Sequence, residues 1–118
     1  MSEPNQPENP PMVQLMRCIT GHWVAAAVYT AAKLSLADQL AGGPKSSEEL
    51  ARKTNADAPS VYRLLRALTG LGIFKEIQPE RFVLTEVGEL LRSDHPQSMR
   101  LMALFQGAPP HWQGWGSF

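Results

Sequence analysis

The sequence predicts a mainly α fold: a winged helix-turn-helix with a small two-stranded β-wing and extra amino-terminal and carboxy-terminal helices. Three observations in residues 46–85 predict it. Ser46 and Glu49 stand in S-x-x-E spacing, the signature of a capping box that opens a helix. Val61, Leu64, Leu65, Leu68 and Leu71 recur at helical period along one arc. Two short runs follow Gly72, Ile73 to Ile77 and Arg81 to Thr85, joined by Gln78-Pro79-Glu80 in the pattern of a hairpin.

Taken in order, residues 1–11 hold four prolines and no apolar residue beyond Met1. Such a segment buries too little surface to offset the entropy of ordering it, so it is expected to be a disordered arm. From Met12 to about Leu34, Val13, Met16, Ile19, Trp23, Ala26 and Ala27 recur at threes and fours, and Arg17 and Lys33 are the only formal charges. One long helix is expected, too apolar to stand alone in water and too polar to span a bilayer. Its small residues allow close approach of a second helix, and Trp23 offers an anchor, so Met16, Ile19, Trp23 and Ala27 are candidate dimer-interface residues. Burial within one protomer is the competing explanation.

A short helix over Leu34 to Leu40 is ended by Gly42-Gly43-Pro44. The winged unit begins with a helix from Ser46 that stops at Asn55. A longer helix starts near Asp57 or Ala58, with Pro59 in its first turn. After the wing, Thr85 is an expected N-cap with Glu86 and Glu89 beside it, and Val87, Leu90 and Leu91 are expected to point inward until Ser93-Asp94-His95-Pro96 ends the helix. Another helix is expected from about Gln97, where Met99, Leu101, Met102, Leu104 and Phe105 leave little polar circumference. Gly107 to Pro110 breaks the chain, and Trp112, Trp115 and Phe118 follow three apart. The expected organisation is an arm over 1–11, a dimerisation winged-helix domain over 12–96, and helices over 97–118 that lead onward.

Composition narrows the function. The 118 residues include 11 acidic and 11 basic side chains, which gives no net attraction to nucleic acid or anionic lipid. Cys18 is the only cysteine, so no internal disulfide forms, and no leader pattern or long apolar run is visible; a cytoplasmic protein with no membrane partner is expected. His22, His95 and His111 lack metal-site spacing. No G-x-S-x-G occurs, and Gly114-Trp115-Gly116 follows no strand and has no third glycine, so no catalytic, metal or cofactor residue is assigned in this chain.

Two functions remain in contest. As a DNA-binding transcriptional regulator, the chain would place its second winged-unit helix in the major groove, presenting Ser60, Tyr62, Arg63, Arg66 and Thr69. Two arginines and a wing tip with one acid for one base neutralise few phosphates. As an assembly domain, the same unit would support an apolar interface.

The succession LSLADQL, a Gly-Gly-Pro break, SSEELA, RLLRAL, GIF, FVLTEVGELLRSDHPQSMR and HWQGW resembles the amino-terminal dimerisation domain of S-adenosylmethionine-dependent small-molecule O-methyltransferases of the bacterial natural-product type. The resemblance runs from about Leu34 to Trp115, and Ser35 stands where relatives commonly have glycine. It implies an interlocked homodimer, no DNA binding, and a Rossmann-like domain after Phe118 that carries the S-adenosylmethionine loop and the general base. It also implies that this domain roofs the substrate pocket, with Met99, Met102, Phe105, Trp112 and Trp115 as the matching lining residues. The chain alone is then expected to be inactive, and the enzyme to methylate a hydroxyl of a small aromatic metabolite.

Overall fold

The computed structural model describes residues 10–108. Helices α1 (Pro11–Ile19), α2 (Gly21–Lys33) and α3 (Leu36–Leu40) lead into strand β1 (Lys45–Ser46). Helices α4 (Ser47–Thr54) and α5 (Ala58–Gly70), strands β2 (Phe74–Gln78) and β3 (Arg81–Leu84), and helices α6 (Glu86–Glu89) and α7 (Arg100–Gly107) complete the order. Most of the expected arm, residues 1–9, lies outside the described residues, as do His111, Trp112, Trp115 and Phe118.

The winged unit forms as its local chemistry dictates. The Ser46 side chain accepts from the Glu49 amide while the Glu49 carboxylate accepts from the Ser46 amide, each at 3.1 Å, which closes the capping box. Left-handed Asn55 ends α4 by returning amides to the Ala51 and Arg52 carbonyls. Asp57 caps α5 by accepting from the Ser60 amide. At its far end Gly72, with φ 80°, lets its own amide reach Thr69 and that of Ile73 reach Leu68, which is a Schellman motif with a buried Leu68–Ile73 pair.

The core lies under this unit. Leu36 and Leu40 from α3, Leu50 from α4, Val61, Leu65 and Leu68 from α5, and Phe74 and Phe82 from the sheet are all buried. Tyr62 meets Phe82 edge-on with ring centroids 6.2 Å apart.

Four expectations are corrected. The long helix over Met12 to Leu34 is two helices, because Thr20 leaves the helical conformation (φ −96°, ψ 5°), its hydroxyl donates to the Met16 carbonyl, and the poor helix former Gly21 follows. The sheet has three antiparallel strands in the order β1-β3-β2: the expected hairpin gains Lys45–Ser46, paired with Phe82 and Arg81. Ile73 and Phe74 are both buried while Ile77 is exposed, so the expected period-two pattern over Ile73 to Ile77 does not hold, and the pairing with β3 is bulged between Glu76 and Gln78. Leu71 and Val87, expected inward, are 45% and 54% exposed. Leu71 falls past the last turn of α5 where the chain reverses, and Val87 faces a groove described below.

Candidate functional site

The site is built by α2, α6 and α7. Helix α7 lies against α2 and is fixed at both ends. Near its start the Arg100 guanidinium donates from Nε to the Ala32 carbonyl and from Nη2 to the Ser35 hydroxyl, each at 3.2 Å. At its end Gly107 is buried on Tyr29: a Cβ there would overlap the Tyr29 side chain, with Cγ at 2.7 Å. Helix α6 is placed by Thr85, whose hydroxyl accepts from the Gly88 amide and donates toward the Gly72 and Ile73 carbonyls, at 2.6 and 2.9 Å. A separate clasp joins the following loop to α3, where Asp38 accepts from the Ser93 amide and hydroxyl at 2.8 and 2.9 Å.

Between these helices runs an apolar groove of about 320 Å³. Met99, Met102 and Ala103 form one wall and Ala25 and Val28 the other. Ile73, Val87, Leu90 and Leu91 complete the lining, and Gln106 is its one polar side chain. Of the expected lining residues, the structure brings together Met99 and Met102; Phe105 is exposed and outside the lining, and Trp112 and Trp115 lie outside the described residues. The contribution of α2 was missed. Its alanines and Val28 carry no chemical signature, and the groove exists only once α7 folds back across it.

The expected interface residues divide. Met16, Ile19 and Trp23 are exposed, Trp23 at 66%, while Ala27 packs against the core. Every residue of α1 is exposed, and Met12, Leu15, Met16 and Ile19 make it a largely apolar, uncovered helix.

Of the five candidate DNA-reading residues, Ser60, Tyr62, Arg63 and Arg66 are engaged along α5 and its cap, while the Thr69 hydroxyl is buried without a hydrogen-bond partner among the described residues. Asp57 accepts from the Ser60 hydroxyl at 2.6 Å, which together with the Ser60 amide holds its carboxyl below the usual range. Arg63 donates to that same Ser60 hydroxyl. Arg66 donates to the Tyr62 hydroxyl at 2.8 Å and lies 3.7 Å from Glu76; the Tyr62 bond and these charges raise its already high pKa. Both wing-tip charges are also occupied, Arg81 with Glu49 and the Pro44 carbonyl, and Glu80 with the Ser47 hydroxyl. This face offers few unengaged cations to phosphate. Among the described residues no His/Cys/Asp/Glu group is placed to hold a metal, and no helix is long and apolar enough to cross a membrane.

Comparison with known proteins gives a consistent result. A profile of the O-methyltransferase dimerisation domain matches residues 16–94. The phenazine O-methyltransferase PhzM of Lysobacter antibioticus is 47% identical over 93 residues, which is 79% of this chain and 27% of that protein. The 8-amino-8-demethylriboflavin N,N-dimethyltransferase of Streptomyces davaonensis is 44% identical over 86 residues, 73% of this chain and 25% of the relative. The crystal structure of LaPhzM superposes with a TM-score of 0.87 at 42% identity and covers 92% of this chain and 32% of its own. The chain thus spans about a quarter to a third of the length of the relatives it matches.

Proposed function

The chain belongs to the O-methyltransferase dimerisation-domain family, and from that premise we propose that it is the homodimerisation and substrate-lid domain of an S-adenosylmethionine-dependent enzyme that methylates a hydroxyl of a small aromatic metabolite. The observation that carries the lid is the groove: an apolar concavity on a soluble-looking domain, bounded by two methionines that adapt to irregular ligands. The observation that carries assembly is α1, whose apolar residues are exposed and uncovered among the described residues.

The described residues do not fit S-adenosylmethionine. The groove offers neither a carboxylate for ribose hydroxyls nor a glycine-rich turn for close backbone approach. The cofactor and the proton-accepting base therefore belong to the remainder of the enzyme. That remainder would set the acceptor oxygen in line with the sulfonium methyl and take its proton. This domain's part is to bury the acceptor ring, exclude water and hold the second protomer in place. No nucleic acid is a partner, and the enzyme is cytoplasmic.

Two measurements test the proposal. Sedimentation equilibrium at micromolar concentration is expected to give twice the chain mass; a helical monomer would overturn the assembly role. Met102→Ala in the full-length enzyme is expected to raise the acceptor KM while leaving that for S-adenosylmethionine unchanged, and loss of stability with neither KM altered would remove the lid.

A further inference from the structure

An arginine at the first position of a helix is poorly placed for that helix, because its charge meets the positive end of the dipole. Arg100 occupies that position in α7. Its side chain is satisfied elsewhere, on the carbonyl of Ala32 in the last turn of α2 and on the Ser35 hydroxyl, residues 68 and 65 positions earlier in the chain. The charge thus sits at the negative end of α2.

Ser35 is unusual in its own right. It has φ 55° and ψ 38°, in the left-handed region that disfavours a side chain with a Cβ, and with Leu34 it forms the two-residue joint between α2 and α3. A glycine would be easier there by backbone alone, but it would have no hydroxyl for Arg100. The two departures, a cation at a helix start and a serine at a left-handed joint, explain each other.

We propose that Arg100 is a positioning residue: by clasping Ala32 and Ser35 it fixes the start of α7 on the α2–α3 joint and so sets where Met99 and Met102 stand in the groove wall. This rests on the reading of the groove as the acceptor pocket. Gly107 holds the other end of α7 by close approach to Tyr29, whereas the Arg100 end is held by polar groups. Two donors on a planar guanidinium fix both distance and angle, which a lysine reaching one oxygen does not.

The test uses the full-length enzyme with 1-hydroxyphenazine as acceptor and the variants Arg100→Met, Arg100→Lys, Ser35→Ala and Met102→Ala. Arg100→Met is expected to raise the acceptor KM about tenfold, the scale of one lost charged hydrogen bond, with the S-adenosylmethionine KM unchanged. Arg100→Lys is expected to recover part of that loss. Ser35→Ala is expected to raise the acceptor KM alone but to add nothing in the Arg100→Met background. Hydrogen exchange in Arg100→Met should quicken in residues 100–107 and leave the wing unchanged. A lower Tm with the acceptor KM unmoved, or an equal rise in both KM values, would overturn the proposal. If Met102→Ala raises the acceptor KM and Arg100→Met does not, only the role of Arg100 falls. If neither does, the groove reading falls and takes this inference with it.

Discussion

In the winged unit Leu50, Leu65, Leu68, Phe74 and Phe82 are at most 1% exposed, whereas in α1 Met12, Leu15, Met16 and Ile19 are between 54% and 82% exposed. The polar groups divide in the same sense. Ser46, Glu49, Asp57, Ser60, Tyr62, Arg66, Glu76 and Arg81 are bonded to one another inside or across the unit. A region that satisfies itself in this way has little left to offer a partner, and its shape alone does not make it a reader of DNA. The flanking helices carry the unspent apolar surface, so assembly and ligand contact belong there, and the winged unit is the frame that holds them.

The sharpest way to break this contrast is to damage the frame. Phe82→Ala removes a fully buried ring that packs against Tyr62, and about 3–5 kcal/mol of stability should go with it. Urea unfolding of the two chains measures it, and a loss below 1 kcal/mol, roughly a surface-level effect, would show that the unit is not the folding core. The converse change is on the uncovered face. Trp23→Asp should leave the secondary structure intact, since Trp23 is largely exposed, but weaken self-association by about 2 kcal/mol or more, the range of an interface anchor. Sedimentation against concentration reads the difference. Equal effects of the two substitutions on folding and on assembly would erase the distinction between frame and face.

Between these lies α7, which borders both. Gly107→Ala would normally favour a helix, yet here its Cβ meets Tyr29, so a destabilisation of about 1–3 kcal/mol is expected from overpacking. Tyr29→Ala in the same chain should remove most of that penalty. A stabilised Gly107→Ala would mean that α7 is free to shift on α2.

The same contrast governs what the sequence disclosed. The capping box at Ser46, the stop at Asn55, the turn at Gly72 and the hairpin were legible because each is decided within a few residues by backbone chemistry. Strand β1 was not: two residues, Lys45 and Ser46, carry no alternation, and they become a strand only because β3, more than thirty residues later, leaves an edge for them. Thr20 and Gly21 carried a local signal, a competing hydroxyl and a poor helix former, that the surrounding apolar period outweighed. For the site, Met99 and Met102 were named because the family resemblance placed the lining on their helix, whose apolar excess agrees with it, while Val28, Val87 and Gln106 were not, because a groove between three helices has no sequence period of its own. Arg100 sits among these apolar residues with no motif to mark it, and its role depends on α2 and α3 being set beside it.

The smallest expected effect is a pH response confined to the frame. Hydrogen bonds from the Ser46 amide and hydroxyl, then the charges of Arg81 and Lys45, hold the Glu49 carboxyl below its ordinary 4.5. The Ser60 hydroxyl and amide and Arg63 do the same for Asp57, whose ordinary value is 3.8. A carboxyl whose pKa is lower folded than unfolded binds its proton more readily in the unfolded chain. Its contribution is therefore complete above the ordinary value and is lost as pH falls through that value to the folded one. Both groups are exposed, so screening keeps the effect modest. The cap of α4 should loosen as pH falls below about 4.5 and that of α5 as it falls below about 3.8, seen as faster amide exchange at Glu49 and then at Ser60 after the intrinsic pH dependence is removed. Helices α2 and α7 lack a carboxylate in their first turns and should show no such change. Glu49→Gln keeps an acceptor for the Ser46 amide without the charge and should flatten the α4 response alone. An α4 response that persists in Glu49→Gln would assign the acid sensitivity to another group and leave the capping box as geometry without electrostatics.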